Sequence, residues 1–239
     1  MRIELATVPT EAAALNMAPL SVVVFDVLRA TSTIAAAMEA GAASIRFFSD
    51  PAEAMQAGRQ FPEGLLCGER GCVKIPGFHF GNSPRKLTPQ AVRGRTILMA
   101  TTNGTRAIQA ARGAGKMFAG SLLNAAATAA AVYKAGRPVL LLCAGTDSKP
   151  AAEDFLGAGA VMAELIRLKG KSPMNMGDMA LAALLAFSAA RDQLPAVLEK
   201  TQGGKNLIAV RMKADIGFCA RVNVMRKAVE IDPKAMVTR

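Results

Sequence analysis

Apolar runs of strand length alternate along the chain with longer Ala-rich segments. Short apolar runs bounded by polar turns read as strands, and longer runs of Ala and Leu read as helices. Strands are expected at Ile3 to Leu5, Val22 to Asp26, Ile45 to Phe48, Leu65 to Cys67, Thr96 to Ala100, Lys116 to Ala119 and Pro138 to Cys143, with a last one near Lys227 to Ile231. Helices are expected at Thr31 to Ala40, Pro51 to Gln60, Thr105 to Arg112, Asn124 to Lys134, Glu153 to Leu168, Asp178 to Ala190 and about Gln202 to Met212. Gly41 follows the first helix where a left-handed cap belongs. Ser49-Asp50-Pro51 opens the second, with proline at its first position. Such alternation predicts an α/β fold with a largely parallel sheet, and no linker divides the 1–239 chain into two domains.

Two features stand out from this rhythm. Pro and Gly concentrate between Gly64 and Pro89, a stretch too irregular for a helix and too long for an ordinary turn. Long structured loops of this kind often carry function. Three strands also end in a polar turn before a helix, at Asp26, at Thr101 and at Cys143. Ligands of open α/β sheets bind outside the carboxyl ends of the strands, so these turns are candidates for one shared site.

Composition narrows the classes. A chain of 239 residues buries a sizeable core. Tryptophan is absent, so that core rests on Ala, Val, Leu, Ile and Met. No apolar run reaches the roughly 18 residues of a membrane span, and Met179 to Ala190 reads as a core helix. A cytoplasmic protein is expected. Cys67, Cys72, Cys143 and Cys219 do not follow a CxxC spacing, and His79 is the lone histidine, which argues against a Cys/His zinc site. Buried free thiols are expected instead. The net charge of +11 invites a nucleic-acid partner, but the basic residues are scattered and no recognition motif accompanies them. A basic surface also steers small anions toward a site. Whether the chain forms a homo-oligomer is left open.

The candidate chemistry sits at the strand ends. Asp26 closes an apolar strand, where a carboxylate needs a cation, a metal ion or a helix start beside it. Arg29 is a fork for phosphate or sulfonate oxygens. Thr31 and Ser32 add hydroxyls at the start of a helix. Phosphatases of the haloacid-dehalogenase type need a second Asp two residues after the first; Leu28 stands there and argues against that family. Glu69 and Arg70 lie between glycines in Gly68-Glu69-Arg70-Gly71, and Asn82 and Ser83 precede Pro84 in a turn or extended conformation. His79 reads as a loop histidine without a catalytic partner. In Thr101-Thr102-Asn103-Gly104-Thr105-Arg106, Asn-Gly permits positive φ, so the backbone N–H groups are expected to form an anion nest completed by threonines and an arginine. Glu153 and Asp154 suit a helix N-terminus, or supply oxygen ligands to Mg²⁺ if that loop folds back on Asp26.

The segments DVLRATST (26–33), GERG (68–71), GFHFGNSP (77–84), TTNGTRA (101–107), CAG (143–145) and EDFLGAG (153–159) occur in this order, and the chain in this respect resembles the ComB family, 2-phosphosulfolactate phosphatase of coenzyme M biosynthesis. The resemblance runs from about residue 20 to the Asp215-Ile216 region. It implies a three-layer α/β/α fold, with a largely parallel or mixed sheet, and a Mg²⁺-dependent hydrolysis of 2-phospho-3-sulfolactate to 3-sulfolactate and phosphate. On that basis Asp26, Arg29 and Glu69 are the expected catalytic residues. Asp26, with Glu69 or Asp154, is expected to hold Mg²⁺. Arg29 and the Thr101–Thr105 turn would bind the phosphoryl oxygens, with Thr31, Ser32, Asn82 and Ser83 nearby. Arg70 or Arg106 would take the sulfonate or carboxylate end. The rivals are a phosphatase of the same fold for another small phosphorylated acid, and a non-catalytic binder of anions or nucleic acid.

Overall fold

The computed structural model describes residues 1–170 and 174–238. In chain order its elements are β1 (Arg2–Ala6), β2 (Ser21–Phe25), α1 (Ala30–Glu39), β3 (Ser44–Phe47), α2 (Pro51–Gln60), β4 (Leu65–Arg70), β5 (Val73–Lys74), α3 (Pro89–Val92), β6 (Thr96–Ala100) and α4 (Gly104–Ala110). There follow β7 (Lys116–Gly120), α5 (Ala125–Ala135), β8 (Val139–Cys143), α6 (Ala152–Lys169), β9 (Asn175–Met176), α7 (Asp178–Ala190), α8 (Leu194–Lys200), α9 (Gln202–Ala209), α10 (Lys213–Cys219), β10 (Val229–Asp232) and β11 (Val237–Thr238). Each strand and helix expected from the apolar pattern is present, with ends shifted by a few residues. Asp50 caps α2 by accepting from the Ala52 N–H (2.7 Å), and Gly41 follows α1 at φ +92°. The elements the pattern did not signal are short: β5, β9, β11, α3, α8 and α10. Two to seven residues leave too little periodicity to detect.

The strands form one mixed sheet in the order β5-β4-β6-β3-β11-β10-β7-β2-β8-β1-β9. β7, β2, β8, β1 and β9 are parallel, as are β3, β6 and β4. Between these blocks lies the antiparallel hairpin β10–β11, which pairs antiparallel with β7 on one side and β3 on the other. The sheet is therefore less uniformly parallel than strand–helix alternation suggests. The last ten described residues supply the exception.

Alternation along β2 sets the layers. Val22 and Val24 pack with Ile34 and Ala37 of α1 and with Ala107 and Ile108 of α4. Val23 and Phe25 point the other way, into a core with Ala158, Val161 and Met162 of α6 and Ala180 and Ala183 of α7. Helices thus cover both faces, and the fold is a three-layer α/β/α arrangement. The first of these cores also contains Ile45 and Phe47 of β3, Leu65 and Cys67 of β4, and Ile97 and Met99 of β6. The twisted sheet coils about α1 and α4 and brings the ends of β4 and β6 back to the end of β2.

The run Asp178–Lys200 is long and apolar enough, by length and composition, to cross a membrane (mean hydropathy 1.3), contrary to the expectation that no run is. Its length comes from α8 following α7 through a 3₁₀ turn, a continuation that an apolar count stopping at Ala190 misses. Ala180, Ala183, Phe187 and Ala190 are buried, and Gly159 of α6 is so close to the Ala183 carbonyl that a Cβ there would clash. Met179, Leu181 and Leu185 are on the exposed side.

Candidate active site

The turn after β2 is built by hydroxyls. Asp26 N–H donates to Thr31 Oγ1 (3.1 Å), and Thr31 N–H returns a bond to the Asp26 carbonyl (2.9 Å). Ser32 Oγ donates to the Val27 carbonyl (2.8 Å). Thr31 and Ser32 are fully buried and serve the turn, not a ligand, because buried backbone groups there need partners. Asp26 Oδ1 accepts from the Ala30 N–H (3.0 Å) at the start of α1. Among the described residues no hydrogen bond reaches Oδ2.

β4 and β5 are joined by Gly71 and Cys72, at φ +57° and +66°. Two central residues at positive φ make a turn that follows the strand twist. Successive residues of β4 point to opposite sides. Glu69 therefore turns inward, where Oε1 accepts from the Thr102 N–H (2.8 Å) and Oε2 from the Cys72 N–H (2.9 Å). Arg70 turns outward and donates to the Glu69 and Ser49 carbonyls. Arg70, expected at the substrate's acidic end, thus lies on the side of β4 opposite Glu69.

The Thr101–Arg106 segment starts α4 and forms no positive-φ nest; Asn103 has φ −106°. Gly104 is needed for close approach. A Cβ there would clash with the Ala30 methyl and lie 3.0 Å from Asp26 Oδ2. Thr101 and Thr105 bond to each other: Thr105 N–H donates to Thr101 Oγ1 (3.1 Å) and Thr105 Oγ1 to the Thr101 carbonyl (2.7 Å). Thr102 Oγ1 is buried without a partner. Arg106 is exposed and, with Asn103, lines a separate small cavity bounded by Val8, Pro9, Thr10, Ala144 and Ser148. Residues two apart on a helix lie about 200° round its axis, so Gly104 and Arg106 face different ways. Arg106, also expected at the sulfonate end, thus lines this separate cavity.

Glu153 and Asp154 open α6. Asp154 Oδ1 accepts from the Val27 N–H (2.8 Å) and Oδ2 from the Gly145 N–H (3.0 Å), tying the turn after β2 to the turn after β8. Both of its oxygens accept from backbone N–H groups, so it holds these two turns together. Glu153 Oε2 is buried with no hydrogen-bond partner among the described residues. Burial pushes the Asp154 carboxyl well up, and the charges of Asp26 and Glu153 add to it. Burial likewise raises Glu153. Asp26 is pushed up to about 7, first by burial, with the charges of Glu69 and Glu153 adding; the Ala30 N–H and Arg29 oppose the rise.

Arg29 is almost wholly buried. Its Nη1 donates to Asp215 Oδ2 (2.8 Å) and its Nη2 to the Cys72 carbonyl (2.8 Å). Two of five guanidinium N–H donors are therefore committed to the protein. Asp215, on α10, also accepts from Ser83 Oγ (2.8 Å). Sequence reasoning missed Asp215 because a single acid on a short helix in a basic stretch has no motif around it.

Arg29, Cys72, Asn82, Ser83 and Asp215 line a cavity of about 380 Å³, whose wall also carries Lys74, Arg85 and Lys86. His79 lines it too, with Nδ1 accepting from the Leu66 N–H (3.0 Å); the ring extends the β4 edge and meets no acid–base partner. Cys67, Cys143 and Cys219 are buried free thiols, as expected, while half-buried Cys72 lies at the cavity.

Among the described residues, no three carboxylate, thiol or imidazole groups converge to form a metal cage. Mg²⁺ rarely needs one, since it takes one or two carboxylates and completes its shell with water and phosphate. The donor set fits such an ion: oxygen only, with Asp26 Oδ2 and Glu153 Oε2 uncommitted among the described residues and the Asp26 carboxyl raised first by burial and then by the charges of Glu69 and Glu153.

Gly104→Ala is expected to displace Asp26 and to destabilise the fold by about 1–3 kcal/mol through overpacking. Thermal denaturation beside a phosphatase assay checks this; an unchanged melting temperature with full activity contradicts the close approach.

A family model described as 2-phosphosulpholactate phosphatase matches residues 7–233. A protein of Symbiobacterium thermophilum is 40% identical over 205 residues, covering 85% of this chain and 87% of its own length. Relatives from Carboxydothermus hydrogenoformans (39% over 206 residues, 86% and 83%) and Synechococcus sp. (37% over 211 residues, 86% and 86%) are similar throughout. Each is named probable 2-phosphosulfolactate phosphatase.

Proposed function

Because the chain belongs to the 2-phosphosulfolactate phosphatase family, it is a phosphoric monoester hydrolase, and we propose that it cleaves 2-phospho-3-sulfolactate to 3-sulfolactate and phosphate with Mg²⁺, the reaction type of coenzyme M biosynthesis. The observation that carries this reading is the junction of Asp26, Glu69 and Glu153 with the buried Arg29 at a basic cavity.

Phosphate monoesters are among the slowest substrates to hydrolyse unaided, with enzymatic enhancements approaching ~10²¹-fold. A single general base is worth roughly 10²–10⁴-fold, so charge stabilisation and positioning must supply most of the rest. Asp26 and Glu153 are the residues that would hold Mg²⁺, with Glu69 beside them. Bound there, the ion would offset phosphoryl charge as a Lewis acid. Glu69 cannot swing, since two backbone N–H groups hold its oxygens. It fixes Thr102 and Cys72 in turn. Thr102 Oγ1, buried and unpaired, offers its hydroxyl to a phosphoryl oxygen. Arg29 keeps free N–H donors beside those it gives to Asp215 and Cys72, and its burial makes each stronger than it would be in water. Asp154 and Thr31 set the turn and leave the reacting atoms to Asp26.

Phosphate release from 2-phosphosulfolactate is expected, abolished by chelator and restored by Mg²⁺. A protein that releases no phosphate from this ester at any divalent-ion concentration removes the proposal.

A further inference from the structure

We propose that Lys74, Arg85 and Lys86 form a second anion subsite, which selects phosphate esters that carry a strongly acidic group, a sulfonate, away from the scissile bond. The inference rests on the phosphatase reading above and goes beyond it by assigning the residues that grip the part of the substrate that does not react.

Charge within the cavity points to these three. Arg29 is matched by Asp215 at 2.8 Å, both side chains 2% exposed, so that pair contributes little net charge to the cavity. Arg85 lies 4.0 Å from the same carboxylate, which Arg29 and Ser83 already occupy at shorter range. Lys74 and Lys86 have no ion pair among the described residues. The cavity wall is left with an excess of cations that no protein group neutralises. All three side chains are exposed; among the described residues the lysines carry no ion pair to displace, and Arg85 meets Asp215 only at 4.0 Å.

A second observation is independent of charge. Asn82 lies in the same wall, 4% exposed, and its Oδ1 is buried without a partner. An amide oxygen accepts only, so this atom calls for a donor such as a water, and not for a sulfonate oxygen directly. The backbone around it is fixed: the Asn82 carbonyl accepts from Thr33 Oγ1 and the next residue bonds Asp215. The amide is therefore held in place at the cavity wall.

Geometry supplies the order of the groups. Arg29 and Cys72 belong both to the cavity and to the carboxylate junction, through the Cys72 N–H to Glu69 and the charge of Arg29 on Asp26. A phosphoryl group at that junction leaves the remainder of a three-carbon ester in the cavity, against Arg85 and the lysines. Arg85 presents a planar fork that suits the oxygens of a sulfonate, and the lysines add point charges.

The test compares 2-phosphosulfolactate with 2-phospholactate, the same ester without the sulfonate, in the wild type and in Arg85→Met, Lys86→Met and Lys74→Met. Losing a charge-assisted hydrogen bond corresponds to about 10- to 100-fold. The ratio of kcat/KM for the two esters is expected to fall by that order in Arg85→Met, less in each lysine variant, and to recover in part in Arg85→Lys. The ratio is insensitive to general damage to the site, which lowers both substrates together. A ratio within about twofold of wild type in all three methionine variants overturns the subsite while leaving the phosphatase reading intact. A wild type that hydrolyses neither ester overturns that reading, and the subsite with it.

Discussion

Asp26→Asn is expected to lower kcat by at least about 10³-fold while the protein still folds. The substitution keeps the shape of the side chain and the bond from the Ala30 N–H at Oδ1, so the turn after β2 survives. What disappears is the charge at Oδ2, the oxygen that faces Gly104 and has no protein donor. The same variant carries a stability signature. In the folded chain burial, then the charges of Glu69 and Glu153, raise the Asp26 carboxyl from 3.8 to about 7. A raised carboxyl favours the fold while it is protonated. That contribution is complete below the unfolded value of 3.8 and is lost as pH rises through about 7. Asn stays neutral throughout. In chelator, the melting temperature of Asp26→Asn is therefore expected to gain on that of the wild type as pH rises across this window, and Mg²⁺ should narrow the gap by stabilising the wild type alone. Near wild-type turnover in the variant, or a gap that ignores pH, contradicts the assignment of Asp26.

Asp215→Ala is expected to cost about 3–5 kcal/mol, because it strands a buried guanidinium. For a chain of this length that corresponds to a fall of roughly 6–20 °C in melting temperature. Arg29 loses its 2.8 Å partner, and Ser83 loses the acceptor that ties the 77–84 segment to α10. Turnover should fall as well, since Arg29 borders both the cavity and the carboxylates. Asp215→Asn retains both contacts in weaker form and is expected to fall between wild type and Ala. A melting temperature for Asp215→Ala within about a degree of wild type means that Arg29 is hydrated or paired elsewhere.

Much of this site was visible in the linear chain. Asp26 could be picked out because it closes an apolar strand, Glu69 because it lies between glycines in an irregular stretch, and Thr102 because it belongs to the polar turn after another strand. The convergence of the turns at Asp26, Thr101 and Cys143 also followed from strand ends, and Asp154 links the first and third through the N–H groups of Val27 and Gly145. Direction was harder to read. Glu69 and Arg70 are adjacent and equally polar, yet only one can face inward from a strand. Glu153 and Asp154 are adjacent on a helix, and their roles differ because one finds two backbone donors and the other leaves Oε2 unpaired.

By itself the sequence determined the order and type of the long elements, the apolar faces of β2 and its neighbours, and the family. Those are local properties: periodicity, turn chemistry and motifs are written in consecutive residues. Only the tertiary structure decided which side chains meet. The insertion of β10–β11 between two parallel blocks, the pairing of Arg29 with Asp215 across 186 positions and the gathering of Lys74, Arg85 and Lys86 at one cavity depend on how the sheet coils around α1 and α4. No local signal encodes such contacts, because their energies arise from burial and from partners distant in sequence.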